Sequence, residues 1–341
     1  MEVIDADGHI NEGTTALAEY MDPAFREYGP SQGFRSYYPA DAWDRSVRGS
    51  LGHNVRTPED WLAAMKQGPM EIAVLFPTQG LSIGWIRETD FAAALCRAYN
   101  DFFHAQYTRR DARLKGIALL PMQDVPAAVR ELRRAVEELG MVGAMLPSVG
   151  LRHPLGHEIY WPVYAEAERL NCMLASHATV RGPQYFGADI FDNFIEVHTL
   201  SHAFAQMTQF ASMIFRGVPE HFPKLRLGFM EAGCTWAPFW IDRMDEEWGL
   251  RGKLEAPKCR RKPSDYLRQG NIYFGLEAGE QSIAEMVRRF GDDNLVFASD
   301  IPHWDSEYPE NIHELAERTD LSDHSKRKLF ATNARILYGL K

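Results

Sequence analysis

Val3-Ile4-Asp5-Ala6-Asp7-Gly8-His9 opens the chain, and its reading decides the fold. A run that begins apolar and β-branched is a strand, and period-two alternation sets Asp5, Asp7 and His9 on one side of it. Three ionisable side chains facing one way from an otherwise apolar strand suit a strand whose end carries chemistry. The same alternation of short apolar runs with amphipathic helices continues downstream. Further strands are expected at Ile72–Phe76, Leu114–Leu120, Val142–Leu146, Cys172–Ser176, Leu225–Met230, Ile272–Leu276 and Leu295–Ala298. Helices are expected at Phe91–Tyr107, Val125–Leu139, Glu158–Leu170, Asn193–Phe215 and from Ser322 onward, where Leu329, Ile336 and Leu337 are available to close the barrel floor. Thr57-Pro58-Glu59 reads as a helix start, with a Thr cap, Pro in the first turn and an acid beside it. Strands this short and apolar, separated by helices, point to a closed (β/α)₈ TIM barrel. A doubly wound sheet is the runner-up, and no GxGxxG follows the first strand to support it.

One domain spanning 1–341 is expected, with a long turn-rich and aromatic insertion at 12–52 placed over the active-site mouth. Tyr37, Tyr38 and Trp43 in that insertion either wall the pocket or pack within a lid. A net charge of −10 argues against a nucleic-acid partner. The absence of any run near the ~18–20 apolar residues of a span argues against the membrane. Four scattered cysteines without a CxxC, and an acidic N-terminus, fit a cytoplasmic chain with reduced thiols.

In barrels of this kind the site lies where strands end. Strand one delivers Asp7 and His9, strand five His177, strand six Glu231 and strand eight Asp300, followed by His303. Carboxylates and imidazoles converging from four strand ends form a mixed oxygen and nitrogen donor set. It suits Fe²⁺, Zn²⁺ or Mn²⁺, as one ion or two. His202, on the long helix after strand five, either joins the metal chemistry or packs under the rim. Glu12 is a ligand or supports one, His303 contacts substrate or caps a turn, and His198 is structural.

Ile4-Asp5-Ala6-Asp7-Gly8-His9, Phe222-Pro223-Lys224-Leu225-Arg226 leading to Glu231-Ala232-Gly233, Ala298-Ser299-Asp300-Ile301-Pro302-His303-Trp304-Asp305 and Asn333-Ala334-Arg335-Ile336-Leu337-Tyr338-Gly339 carry a resemblance. The chain resembles the amidohydrolase-2 branch of the amidohydrolase superfamily, which includes aminocarboxymuconate-semialdehyde decarboxylase. The resemblance implies that Asp7 and His9 stand where the branch has H-x-H. It also implies that His177 is the fifth-strand ligand, and that Asp300 binds metal and handles a proton. Glu231 replaces a common histidine, which makes the site more anionic and turns the metal toward iron or manganese.

Hydrolysis is the leading expectation. A metal-bound hydroxide would attack an ester, thioester, lactone or amide of a small organic substrate, Asp300 would take the proton, and His202 would steady the oxyanion. The alternative is non-oxidative decarboxylation of an aromatic or enoic acid, with Arg181 as a cation beside the carboxylate. A non-catalytic binding barrel is the third reading. The partner is a small molecule in each case, and the resemblance adds a possible homodimer.

Overall fold

The computed structural model describes residues 1–12, 14–26, 55–179 and 186–341. The expected 12–52 insertion therefore lies mostly outside the described residues, as do Tyr37, Tyr38, Trp43 and Arg181. What is described of it is a short helix at Thr14–Ala18 and a helical turn at Pro23–Phe25.

The strands are β1 (Val3–Ile10), β2 (Met70–Pro77), β3 (Leu114–Leu119), β4 (Gly143–Pro147), β5 (Met173–His177), β6 (Arg226–Met230), β7 (Ile272–Leu276) and β8 (Leu295–Phe297). They form one sheet in sequence order, every neighbouring pair parallel. The segment after β8 returns to β1: Asp300 N–H donates to Asp7 O at 3.0 Å and His9 N–H donates to Ile301 O at 2.6 Å. These bonds bring the first and last strands together into a (β/α)₈ barrel. Its strands are apolar runs because both faces are covered, the inner by each other and the outer by helices. β4, β5 and β7 are buried at every position.

Helices α1 (Pro58–Met65), α2 (Thr89–Phe103), α3 (Val125–Glu137), α4 (Trp161–Leu170), α5 (Phe194–Phe215), α6 (Ala237–Glu255) and α7 (Ile283–Phe290) follow the first seven strands in turn, and α8 (Asn333–Tyr338) ends the chain. The Thr57 side chain accepts from Asp60 N–H while Asp60 reaches back to the cap, so a full capping box starts α1. Asn193 caps α5 through its side chain alone, which accepts from Glu196 N–H. The helix expected to run to Tyr107 leaves α-geometry at Phe103 and finishes as a wider turn over His104–Thr108. At the C-terminus Leu329 and Leu337 are buried, but Ile336 is 53% exposed and closes nothing. Successive residues point about 100° apart on a helix, and with Leu337 and Tyr338 turned inward Ile336 falls on the solvent side. The closing bonds there are polar. Tyr338 Oη donates to Ala6 O at 2.5 Å, and Asn333 Nδ2 to Leu295 O at 2.7 Å.

Strand β1 is longer than its apolar start implied, running through Asp7 and His9 to Ile10 with all eight positions buried. Its register against β2 slips between Asp5 and Gly8. A bulge re-aims side chains, and here it separates Asp5 from its two neighbours in the motif. Gly8 is required at this point: a Cβ there would lie 2.5 Å from the Trp61 ring and 2.7 Å from the Asp5 carboxylate.

Candidate metal centre

Asp5 turns away from the mouth. Its Oδ1 accepts from Ser299 N–H at 2.9 Å and Asp7 N–H at 3.2 Å, and its Oδ2 accepts from Ser299 Oγ at 2.6 Å. It ties β1 to the end of β8 beneath the site. Burial pushes its carboxyl up to about 7, against the pull of those hydrogen bonds.

Asp7, His9 and His177 meet above it. His9 Nδ1–H donates to Pro77 O at 2.9 Å, which fixes the tautomer and leaves Nε2 as a lone pair aimed at the mouth. That Nε2 is fully buried and has no hydrogen-bond partner among the described residues. It lies 3.6 Å from Asp7 Oδ1 and 3.4 Å from Asp300 Oδ1. His177 repeats the device, its Nδ1–H donating to Ala178 O at 2.8 Å while Nε2 faces Asp7 Oδ1 at 3.2 Å. An orphaned buried imidazole nitrogen between two carboxylates costs free energy in an ion-free chain, and a metal ligand sphere relieves it.

Glu231 and Asp300 stand at the first residue beyond β6 and at the turn after β8. Both adopt left-handed backbone, with φ of 54° and 56°. Such conformations are costly for residues with a Cβ and gather at functional sites. They swing the two carboxylates over the mouth toward His303. The His303 Nδ1 lies 2.7 Å from Asp300 Oδ1 and 3.3 Å from Glu231 Oε1, and its Nε2 is 3.3 Å from Thr78 Oγ1. Its ring leans on that of His9, centroids 4.1 Å apart.

Two donor groups result, each with its ligand atoms within 4.8 Å of one another: Asp7, His9 and His177, and His9, Glu231, Asp300 and His303. They share His9 and could each hold a divalent metal ion. Electrostatics ties them together. Burial, and secondarily Glu231, raises the Asp7 carboxyl even against His177. Burial likewise drives Asp300 well above the usual carboxylate range, against the neighbouring His303. Burial would raise Glu231 too, but His177, His303 and His202 hold it below its ordinary value. His177 is depressed by burial yet carried up to about 9 by Asp7 and Glu231.

A cavity of about 490 Å³ is lined by Asp7, Glu231 and Asp300, and bounded also by His198, His202, Glu277 and Asp305. His202 Nε2 is 3.9 Å from Glu231 Oε1, beside the donor groups rather than in them. Burial lowers its imidazole to about 4. His198, expected to be structural, faces the same cavity with its Nε2 3.6 Å from Asp305 Oδ2. Asp305 stands within the Asp300-to-Asp305 motif, but spacing alone did not single it out. Glu12 is turned elsewhere. Its two oxygens accept from Thr78 and Gly80 N–H at 3.1 and 2.6 Å, so it braces the loop after β2 that carries Thr78 to His303.

A parallel barrel whose strand ends bring buried imidazole and carboxylate donors together, the His9 Nε2 among them without a hydrogen-bond partner, defines a class, the enzymes built around a divalent metal at the barrel mouth. Within it this chain belongs to the amidohydrolase family, whose family model matches residues 4–340. The gamma-resorcylate decarboxylase of Rhodococcus jostii is 30% identical over 274 residues, 75% of this chain and 79% of that protein. The 2-amino-3-carboxymuconate-6-semialdehyde decarboxylase of Dictyostelium discoideum is 25% identical over 296 residues, 85% of this chain and 79% of that protein. Among solved structures, a dihydroxybenzoic acid decarboxylase from Polaromonas with bound manganese and the inhibitor 2-nitroresorcinol superposes with a TM-score of 0.74. It is 21% identical, with 99% and 97% of the two chains covered.

The chain is thus an enzyme of the amidohydrolase superfamily, not a binding barrel. The relatives overturn the expectation of hydrolysis, since both curated proteins are decarboxylases. The reason the residues misled is physical. A metal flanked by carboxylates and imidazoles polarises a water or orients a substrate carboxylate with the same ligands, so the ligand set does not select the reaction.

Proposed function

We propose that this chain is a metal-dependent, non-oxidative decarboxylase of an aromatic or enoic acid. The observation that carries this reading is the buried, unpartnered Nε2 of His9 facing Asp7 and Asp300, with the Asp300–His303 pair beside it. Kinship with decarboxylases supports this reaction over the others such a centre could perform. Asp7, His9, His177 and Asp300 would hold the ion, with Glu231 alongside. Manganese suits this oxygen-rich set, and a related barrel binds it. When bound, the ion supplies the positive charge that draws in and orients the substrate carboxylate and a neighbouring hydroxyl.

The chain's own groups move the proton. Asp300 gives a proton to the carbon that bears the carboxylate. The bond from that carbon to the carboxylate then breaks, its electron pair returns to the π system, and carbon dioxide leaves. His303, 2.7 Å away through Nδ1, restores the proton to Asp300 and regains its own from water. His202, neutral in its buried position, faces the cavity from α5 and contacts the substrate. We place the chain in the cytoplasm, supported by its four free and buried cysteines, and as a homodimer, supported by its family resemblance.

The test is a panel of ortho-hydroxybenzoic and enoic acids incubated with manganese-loaded protein in D₂O. Release of carbon dioxide with one deuterium on the vacated carbon is the expected result. No carbon dioxide from any member of the panel would remove the reading.

A further inference from the structure

Gln206 lies on α5, one turn beyond His202 and two beyond His198, and is fully buried. The i, i+4, i+8 spacing sets the three side chains in a row along one helix face. The two histidines line the cavity, and the glutamine goes beneath it. Its amide Nε2 donates to Ser176 O at 2.9 Å and to Met230 O at 2.8 Å. Those carbonyls belong to the residues immediately before His177 and Glu231. One side-chain nitrogen therefore bridges the ends of β5 and β6 at the peptides that launch two of the site's donors.

The position of this bridge matters because the strand ladder is ending there. The last rungs pair Ser176 with Phe229 and His177 with Met230, and Ala178 N–H reaches Met230 O at 3.3 Å. At the next residue the backbone of Glu231 turns left-handed and leaves the sheet. From then on, regular pairing no longer sets the separation of the two chains. The side chains that follow still meet, His177 Nδ1 standing 3.2 Å from Glu231 Oε2. Gln206 Oε1 has no partner among the described residues. A buried amide with its oxygen unpaired and both hydrogens spent on carbonyls is held for its donors.

We propose that Gln206 is a positioning residue of the metal centre, setting the separation of His177 and Glu231 through the carbonyls that precede them. This presupposes the metal centre proposed above, in which His177 belongs to one donor group and Glu231 to the other. Groups that orient ligands without touching the ion typically change metal affinity 10–100-fold when removed.

Gln209, one turn further along α5, supplies an internal control. It is equally a buried clamp, with Nε2 donating to Ser148 O at 2.6 Å and Oε1 accepting from Leu155 N–H at 2.8 Å. No candidate ligand follows either of its partners. Gln206→Met and Gln209→Met each remove a buried amide from one helix while keeping side-chain length.

The measurement is Mn²⁺ affinity by titration, together with the electron paramagnetic resonance spectrum of the bound ion, on full-length wild type and both variants. Circular dichroism and melting temperature report the fold. Gln206→Met is expected to weaken Mn²⁺ binding roughly 10–100-fold and to alter the spectrum of what remains bound. Gln209→Met is expected to bind as wild type does. Unchanged affinity in Gln206→Met, or equal losses in the two variants, would overturn the assignment. Should Gln206→Met fail to fold, Gln206→Asn, too short to span both carbonyls, is expected to show the same loss. Misfolding of both makes Gln206 a scaffold residue and ends the proposal. Wild type that binds no Mn²⁺ fails differently, because it removes the metal centre itself.

Discussion

In the proposed reaction Asp300 is the residue that delivers the proton. It is held in left-handed backbone, its N–H is tied to Asp7 O, and its carboxylate lies between His9 and His303. Asp300→Asn keeps the shape and the backbone bond but cannot deliver a carboxyl proton. Loss of a positioned acid typically costs 10²–10⁴-fold, so turnover of Asp300→Asn is expected to fall by roughly that factor, with the circular dichroism spectrum unchanged. Steady-state kinetics on whichever acid the panel identifies will decide it, and a variant within tenfold of wild type would show that the proton comes from elsewhere. Asp7, His9, His177 and Asp300 were readable as candidates because each falls where an apolar run stops. Asp5 shows the limit of that reading. Alternation set it beside Asp7 and His9, yet the bulge before Gly8 turns it onto Ser299 instead. A bulge depends on what the neighbouring strand and Trp61 allow, and period two carries no trace of it.

At the scale of elements, the contact between α3 and α4 is held by a compact ionic group. The Glu166 carboxylate accepts from Arg133 Nε at 2.8 Å across the helix pair, and from Arg169 Nε and Nη2 at 3.0 and 2.8 Å within α4. The bonds from Arg169 and Arg133 draw its carboxyl down to about 2 against the effect of burial. A folded-state value below the unfolded one stabilises the protein at pH above the unfolded value of 4.5, and that stability is lost as pH falls from there toward 2. The unscreened linkage is about 3 kcal/mol. Both arginines are about half exposed, at 48% and 52%, so screening leaves about 1 kcal/mol. Glu166→Gln is therefore expected to melt roughly 2–4 °C below wild type at pH 7, with the gap narrowing between pH 4.5 and pH 3. Melting curves at several pH values check the sign, since a gap that widens on acidification contradicts it. Helix limits were legible wherever a cap is local, as at Thr57 and Asn193. The wider turn after Phe103 answers to packing, and no local signal announces it.

For the whole molecule, metal binding and folding are one equilibrium. The donors come from β1, β5, β6 and β8, strands far apart in sequence that meet only in the closed barrel. An ion that binds this arrangement and not the unfolded chain stabilises the fold by about 2.7 kcal/mol at a hundred times its dissociation constant. Mn²⁺ is expected to raise the melting temperature by several degrees, and chelation to return it to the ion-free value. Mg²⁺, which favours octahedral oxygen ligands and its own waters, is expected to do much less. Differential scanning calorimetry on one preparation, stripped and then reloaded, makes the comparison. Equal melting with and without Mn²⁺ would show that the buried donors of β1 are satisfied without an ion.

The sequence by itself determined the barrel and the cast of its mouth. Strand period, helix stripes and caps act over a few residues, and a strand end is visible wherever an apolar run meets a carboxylate or an imidazole. Only the tertiary structure decided which of those groups face one another. It turned Asp5 aside, sent Glu12 to brace the loop at Thr78, brought His198 into the cavity and set Gln206 beneath two strand ends. Each of these placements depends on contacts between distant segments, whose distances follow from how strands and helices pack and not from local spacing. The reaction lay beyond both, because a ligand set that activates water also orients a carboxylate, and the decarboxylation proposed above rests on kinship with decarboxylases.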